Sequence, residues 1–437
     1  MGDCADRRCS PVVAAHHLPD TSTSFVGRRA DTMQVCRLVT ENRLVALTGA
    51  AGVGKSRMAI EVTVRAAEAF VDGVFYVDLS LVTNPLGVAV ATARRLGLVD
   101  QHSGRATDAL LTFIGERRVL LLLDNCEHLY DACEEMIVEL LGGCPRLAIM
   151  STSREPSGVP GAVTWCVLPL GIGDDAIELF TDRARQARRD FRVVDDNAVL
   201  VGRVCRRLAG MPLSIELAAA RMGSMDLQQI EESLQARFRM LTGGPDLALS
   251  RQQTVYASLD WAHTLLTEPE RVLFRRLAVF VGGFDTDAAL SVNGDGDPEG
   301  SELREMIEVL VGAFLLAVED AEGAVRYRLS ETIRQYALEK LGASGEADEV
   351  RRRHRDYFTI AAECVEATEP SDYGRLARWS EAESDNLRAA YAWSREQGDV
   401  EAASRLVSSL RRFVQPARVQ GDAAQVRTID TAEKVDQ

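Results

Sequence analysis

Eight residues near the start of the chain have types and spacing that could hold phosphate groups. They run from Gly49 to Ser56 as Gly-Ala-Ala-Gly-Val-Gly-Lys-Ser and match the pattern G-x-x-x-x-G-K-[ST]. In such a turn, backbone N–H groups face phosphate oxygens, Lys55 reaches the β- and γ-phosphates and the Ser56 hydroxyl binds Mg²⁺. The expected nucleotide contacts are Gly49, Ala50, Ala51, Gly52, Val53, Gly54, Lys55, Ser56 and Arg57. The sequence therefore predicts a site for ATP or ADP with Mg²⁺.

The residues on either side of this turn predict the elements that must hold it. The apolar run 44–47 is typical of a buried strand, and Ala59, Val62 and Ala66 recur at helical spacing. We therefore expect a strand before the turn and a helix over 55–70 after it. This order matters because the N-terminus of the helix adds its partial positive charge to the phosphate site.

A second group of candidate residues follows the apolar run 119–123. If that run is a strand, Asp124 lies at its carboxyl end, where open parallel sheets bind ligands, and is a natural partner for Mg²⁺. The next residue, Asn125, cannot act as a general base. Glu127 and His128 are the nearby candidates to orient or deprotonate a water. If neither does so, hydrolysis should be slow.

Two further residues each have a functional and a structural interpretation. Arg154 follows a predicted strand over 147–151, where it could point at a γ-phosphate or be a solvated loop arginine. Pro212 could pack against an adenine ring or simply begin a helix, a position that proline favours. The residues alone leave both alternatives open.

Composition is that of a globular protein with several domains: 437 residues, 46% hydrophobic and 26% charged. The net charge of −15 disfavours a chain dominated by binding to nucleic acid or anionic membranes. We find no bilayer-spanning stretch and no secretory signal, and therefore expect a cytoplasmic protein with no membrane partner. Nine cysteines, an odd number, predict free thiols. Cys4, Cys9, His16 and His17 match no standard zinc spacing.

Apolar runs alternate with helical patterns up to about residue 170, which predicts an α/β fold with a parallel sheet. The predicted strands are 44–48, 74–78, 119–123, 147–151 and 163–168. A hairpin near 314–329, among helices, is typical of a winged helix-turn-helix. After residue 350 one helix pair, separated by Gly398-Asp399, suggests the start of a tetratricopeptide-like α-solenoid.

These patterns divide the chain into five segments. The predicted domains are a leader over 1–24, a P-loop nucleotide-binding domain over 25–171, a helical lid over 172–245, a winged-helix domain over 246–345 and a helical, tetratricopeptide-like segment over 346–437.

Taken in order, the motifs resemble those of the NB-ARC ATPases of the STAND class (signal-transduction ATPases with numerous domains), as found in actinobacterial LuxR-type and SARP-type regulators. The resemblance covers roughly residues 18–415. The stretches that carry it are Thr23–Arg28, Gly49–Ser56, Leu120–Leu129, Thr152–Pro156, Gly210–Arg221, Leu277–Phe284 and Leu329–Ala337. It implies a P-loop domain, a small helical lid, a winged-helix domain and a repeat sensor.

The resemblance also implies roles for individual residues. Val26, Gly27 and Arg28, together with Pro212, would flank the base and sugar of the nucleotide. Arg154 would serve as the sensor arginine for the γ-phosphate.

The chain departs from the family's pattern in places. A Met-His-Asp motif, whose histidine holds ADP in related proteins, aligns with Leu329-Ser330-Glu331. Ser330 can hydrogen-bond a phosphate but supplies no imidazole, so we expect a weaker hold on ADP. The regulators usually end in a long repeat array and a DNA-binding helix-turn-helix. Neither is recognisable before Gln437, and a shortened or separately encoded member is expected.

The leading hypothesis is a signal-transduction switch with slow ATPase activity. The bound nucleotide would set how the lid and winged helix sit, and an unknown inducer or protein partner would act through the C-terminal helices or through self-association. The alternatives are a non-hydrolysing adaptor and a DNA-binding regulator that uses its winged helix. Basic stretches at 183–192 and 351–355 could contact DNA phosphates, but their acidic neighbours favour solvated helix faces.

Overall fold

The structure is a computed structural model, and it describes residues 16–18, 23–80, 82, 84–98, 105–242, 251–294, 300–321, 324–366, 379–380 and 382–410. Most of the predicted leader, and residues 411–437 of the predicted solenoid, lie outside these ranges. The chain forms two compact units, which are described separately. One comprises Met1–Val99 with Gly104–Trp261, and the other Asp100–Ser103 with Ala262–Gln437.

A six-stranded sheet organises the first unit. Its strands are β1 (His16–His17), β2 (Leu44–Thr48), β3 (Val74–Asp78), β4 (Leu120–Asp124), β5 (Ala148–Ser153) and β6 (Val163–Cys166). All neighbours run parallel, in the order β1-β3-β4-β5-β2-β6. The five predicted strands are confirmed to within two residues. The short strand β1 was not predicted, because two histidines carry no apolar pattern.

Helices cover this sheet and bury its central strands. They are α1 (Arg29–Glu41), α2 (Lys55–Ala66), α3 (Gly87–Arg95), α4 (Ala106–Ile114) and α5 (Tyr130–Gly143). Every residue of β2, β4 and β5 is buried, which explains why these strands appear in the sequence as continuous apolar runs. The helix predicted over 55–70 ends at Ala66, and a single 3₁₀ turn continues to Ala69.

The same unit contains a helical subdomain with its own core. Its helices are α6 (Asp175–Ala187), α7 (Asp195–Arg207), α8 (Pro212–Ala220) and α9 (Leu227–Thr242). Phe180, Leu208 and Ile215 are fully buried in that core. Helix α8 begins at Pro212, the first helical position, where the missing N–H of proline costs nothing. The next helix, α10 (Arg251–Thr264), contains the boundary between the two units.

The second unit begins with three helices and a small sheet. The helices are α11 (Glu268–Arg276), α12 (Thr286–Asn293) and α13 (Gly300–Gly312), and α14 (Glu331–Ser344) follows the sheet. Strands β7 (Gly283–Phe284), β8 (Ala317–Ala321) and β9 (Ala324–Arg328) form an antiparallel sheet in the order β7-β9-β8. The hairpin predicted near 314–329 is confirmed as β8 and β9.

Among the described residues after α14, the longer helices are α15 (Ala347–Glu366), α16 (Ser384–Glu396) and α17 (Val400–Leu410). A buried amide fixes α16 against the small sheet. The Asn386 side chain accepts a hydrogen bond from the Val281 N–H at 2.8 Å and donates one to the Gly283 carbonyl at 3.0 Å. The predicted break at Gly398-Asp399 lies between α16 and α17. Among the described residues, no helix is long and apolar enough to cross a membrane.

Candidate nucleotide site

The turn between β2 and α2 has a backbone that only glycine fits at its centre. Gly52 has φ +72°, and a Cβ placed there would lie 3.1 Å from a methyl of Val255 and 3.3 Å from Cβ of Leu213. The Leu213 N–H also donates to the Gly52 carbonyl at 3.3 Å. The start of α8 and the buried Val255 of α10 therefore pack against one side of the turn. The opposite side would be the one that contacts a ligand.

Lys55 lies within this turn and is buried. Its ammonium group donates hydrogen bonds to the carbonyls of Gly49 at 2.9 Å and Ala50 at 3.2 Å. Burial lowers the pKa of Lys55, while the negative charges of Glu127 and Asp124 oppose that shift. The turn therefore contains a buried cation whose hydrogen-bond partners are neutral carbonyls, and a bound polyphosphate would offer it charged acceptors.

Asp124 ends β4 and is the acceptor in a compact hydrogen-bond network. Its Oδ1 accepts from the Ser56 hydroxyl at 2.8 Å and from the Thr152 hydroxyl, and its Oδ2 accepts from Tyr76 at 3.1 Å. Burial and the neighbouring Asp78 raise the pKa of Asp124 to about 6, while the three hydrogen bonds act in the opposite direction and lower it. Ser56 and Asp124, the two predicted metal ligands, are thus brought together. A hydroxyl beside a buried carboxylate suits Mg²⁺, which prefers hard oxygen ligands.

The residues after Asp124 turn away from the strand at once. Asn125 has φ +62°, and a 3₁₀ turn over Cys126–His128 follows. This turn places Glu127, rather than Asn125, near the basic groups of the site: Glu127 Oε1 lies 3.2 Å from Nε of Arg154. His128 contacts the carbonyl of Val82 at 2.8 Å. Of the two candidates to act on water, Glu127 has the ionic environment for that role.

Arg28 joins the segment before α1 to the glycine-rich turn. Its guanidinium donates to the carbonyls of Val53 and Leu168, both at 2.7 Å, and burial lowers its pKa. Its backbone N–H donates to a carboxylate oxygen of Asp175 at 3.0 Å. The preceding Gly27 has φ +74° and packs so closely on Asp175 that a Cβ would lie 2.6 Å from its Cγ.

A cavity of about 280 Å³ adjoins this segment. It is lined by Gly27, Arg28, Arg29, Ala30, Asp31, Asp175 and Glu178. Pro212 is near the same turn, because a Cβ on Gly54 would lie 3.9 Å from Cγ of Pro212 and 3.3 Å from the Arg28 guanidinium. Residues predicted to flank the base and those predicted to hold phosphates are therefore neighbours in the first unit.

Arg57 and Ser330 were also predicted to contact the nucleotide. The Arg57 guanidinium, from the first turn of α2, donates to the Thr23 carbonyl. Ser330 belongs to the second unit and immediately precedes α14. The nucleotide roles of both residues stay predictions.

Sequence reasoning missed four residues that shape the site. Tyr76 is the central residue of β3, Asp78 ends that strand, Thr152 lies near the end of β5, and Asp175 begins α6. Asp78 was visible as a polar residue closing an apolar strand, the same signal that identified Asp124. The remaining three carry no local signal, because only strand pairing and helix packing bring them close.

The fold and site together define a class of protein: a parallel α/β core with a P-loop sequence, in the same chain as a winged helix. Residues 266–342 match the family model of a winged helix-turn-helix domain. The chain is 50% identical over 374 residues to "Putative HTH-type transcriptional regulator" of Mycobacterium bovis, with 86% of this chain and 42% of that protein covered. It thus spans less than half of that relative.

Two other comparisons define the family. An uncharacterized protein of the same organism is 46% identical over 346 residues, which cover 79% of this chain and 88% of the relative. The crystal structure of a STAND protein with a tetratricopeptide repeat sensor, from Pyrococcus horikoshii, matches with a TM-score of 0.55 at 14% identity. It covers 93% of this chain and 60% of that one. The chain belongs to the family of these mycobacterial proteins, and it shares the fold of the Pyrococcus structure.

Proposed function

We propose that this chain is a nucleotide-dependent signalling switch that binds ATP and ADP with Mg²⁺ and hydrolyses ATP slowly. The observation that carries the proposal is the arrangement of Lys55, Ser56 and Asp124 around one glycine-rich turn, with the Ser56 hydroxyl 2.8 Å from the Asp124 carboxylate. A cation for phosphates and an oxygen pair for a hard metal are the two requirements of such a site.

Each group would have a separate task. Backbone N–H groups of the turn and the ammonium of Lys55 would bind the β- and γ-phosphates. Ser56 and Asp124 would hold Mg²⁺, which when bound neutralises phosphate charge. Val26, Gly27, Arg28 and Pro212 would contact the base and sugar. Hydrolysis should be slow because Asn125, next to Asp124, cannot accept a proton, and Glu127, the remaining acidic candidate, is paired with Arg154 at 3.2 Å.

The family and the names of the relatives support a role in transcriptional regulation. We propose that this role is exercised through a protein partner or self-association, with the winged helix as an internal module. The exposed residues of α13, the third helix of the domain, include three glutamates against one arginine: Glu302, Glu305, Glu308 and Arg304. A helix with this charge balance is repelled by DNA phosphates, so it is a poor reader of the major groove.

In the basic stretches Arg185, Arg188, Arg189 and Arg192 are exposed, but other arginines are buried or paired with carboxylates. Arg183 is buried and pairs with Glu216 at 3.0 Å, so the expectation of a solvated face is wrong at that position. In the other stretch Arg352 pairs with Glu349 at 2.7 Å, and Arg355 with Asp399 at 2.7 Å. Direct binding to DNA is therefore the less favoured function.

The proposal is tested by identifying the nucleotide that co-purifies with the chain and measuring its exchange and turnover. We expect ADP or ATP in stoichiometric amount, and turnover well below the roughly 10 s⁻¹ of a median enzyme. Tight nucleotide with no turnover at all would favour the adaptor alternative. A chain that binds neither nucleotide would refute the proposal.

A further inference from the structure

Glu127 and Arg154 form an ion pair beside the phosphate-binding turn, and the pair leaves one oxygen unused. The Arg154 Nε lies 3.2 Å from Oε1 of Glu127. The second oxygen, Oε2, is buried and has no hydrogen-bond partner among the residues that the structure describes. A buried carboxylate oxygen without a donor is costly, which points to a ligand that supplies one.

The backbone explains why this glutamate has reached the site. Asn125 has a left-handed backbone conformation, so strand β4 ends before it. The 3₁₀ turn that contains Glu127 follows directly. The side-chain amide of Asn125 donates a hydrogen bond to the Asp78 carboxylate at 3.1 Å. Among the charges that act on Lys55, Glu127 has the largest effect, ahead of Asp124. Glu127 is therefore a carboxylate whose charge acts on Lys55, the residue that would bind the terminal phosphates.

We propose that Glu127 orients and deprotonates the water that attacks the γ-phosphate, and that Arg154 holds Glu127 until a nucleoside triphosphate is bound. This inference rests on the proposed function. The Arg154 and Glu127 side chains are 39% and 23% exposed, so solvent weakens their attraction. A γ-phosphate offers the arginine a more highly charged acceptor and can displace the carboxylate. A diphosphate lacks that group and leaves the pair intact.

The step balances without any further reagent. The water oxygen forms a bond to the terminal phosphorus as the bond from that phosphorus to the bridging oxygen breaks. The nucleoside diphosphate leaves with the electron pair of the broken bond, and Glu127 accepts the proton of the water and then returns it to solvent. Arg154 acts twice, as a contact for the γ-phosphate and as the residue that frees Glu127 only when this phosphate is present.

The test measures the affinities for ATP and ADP beside single-turnover hydrolysis in Glu127→Gln. Hydrolysis should fall about 100-fold, the usual size of one general-base contribution. The ratio of ATP to ADP affinity should rise about two- to fivefold. In this variant Arg154 can contact the γ-phosphate without first breaking an ion pair with residue 127. Arg154→Ala should lower that ratio instead. The matched control is Glu155→Gln, which removes the same charge from an exposed neighbour of Arg154.

The outcomes separate this inference from the proposed function. A wild-type chain that binds neither nucleotide defeats both. A wild-type chain that binds and hydrolyses ATP, with Glu127→Gln equal to Glu155→Gln in turnover and affinity ratio, overturns the inference alone. The same holds if Glu127→Gln weakens ATP and ADP by one common factor, since that result marks a purely structural role. A chain that binds ATP without hydrolysing it also overturns the inference.

Discussion

Asp78 and Asp124 lie opposite each other at the ends of β3 and β4, and one amide group bridges them. The Asn125 side chain donates to Asp78 at 3.1 Å and to Asp124 at 3.4 Å. Two carboxylates this close repel each other. The Asn125 amide donates a hydrogen bond to each of them, whereas an acid at position 125 would add a third negative charge. The position after Asp124 is thus occupied by a residue that hydrogen-bonds the pair of acids and cannot accept a proton from water.

Replacing this bridge with an acid should destabilise the first unit. Asn125→Asp would place three carboxylates together and should lower the free energy of unfolding by about 1–3 kcal/mol at pH 7. Urea denaturation measures the effect. The control is Asn84→Asp, since the exposed Asn84 side chain accepts a hydrogen bond from the Leu86 N–H, which aspartate can also accept. Equal stability in the two variants would mean that the amide bridge contributes nothing.

The phosphate-binding turn should depend on its single cation. Lys55→Ala removes a charge-assisted contact worth about 2–3 kcal/mol, which corresponds to a loss of about 30- to 150-fold in affinity for ATP and ADP. Titration calorimetry with both nucleotides measures this loss, and thermal unfolding without nucleotide checks that the variant folds. Unchanged affinity in a folded Lys55→Ala protein would show that this turn does not bind the nucleotide.

Much of this site was predictable, because its strongest signals are local in sequence. The spacing of glycines before Lys55 and the apolar run ending in Asp124 each lie within one strand and its following turn. The partners of these residues are non-local: Tyr76 and Thr152 reach Asp124 only because β3 and β5 flank β4. Arg183 shows the opposite error, since a run of arginines favours a solvated face, yet helix packing buries this one.

The close contact between Gly27 and Asp175 gives a prediction about the approach to the base. An alanine in a left-handed conformation costs about 1–2 kcal/mol, and Gly27→Ala should lower the free energy of unfolding by more than this. It should also weaken nucleotide binding, because Arg28 would be displaced. Gly97→Ala is the matched control: Gly97 has φ +71°, and a Cβ there would meet none of the described residues within 4 Å. The difference between the two variants isolates the steric clash. If both behave alike, the contact with Asp175 plays no part.

The acidic face of α13 predicts how the chain behaves with DNA. In fluorescence anisotropy with duplex DNA at physiological salt, we expect no binding beyond a weak, salt-sensitive background. Changing Glu302, Glu305 and Glu308 together to glutamine should strengthen that background by removing three repulsive charges. Tight binding of wild-type protein that depends on base sequence and is lost on substitution of Arg304 would establish the winged helix as a DNA reader.

His354 predicts how the second unit responds to acid. Its ring is buried between Phe280 and Phe358, with ring centroids 5.3 Å and 4.7 Å away, and burial lowers its pKa to about 4 against a smaller opposing effect of Asn386. Because the unfolded chain takes up a proton near pH 6.5 and the folded chain only near pH 4, acid favours unfolding between these values. The loss should approach about 3 kcal/mol at pH 4. Calorimetric unfolding of wild-type and His354→Leu protein from pH 7 to pH 4 measures it: the wild type should lose this much more stability than the variant, and parallel pH profiles would contradict the assignment.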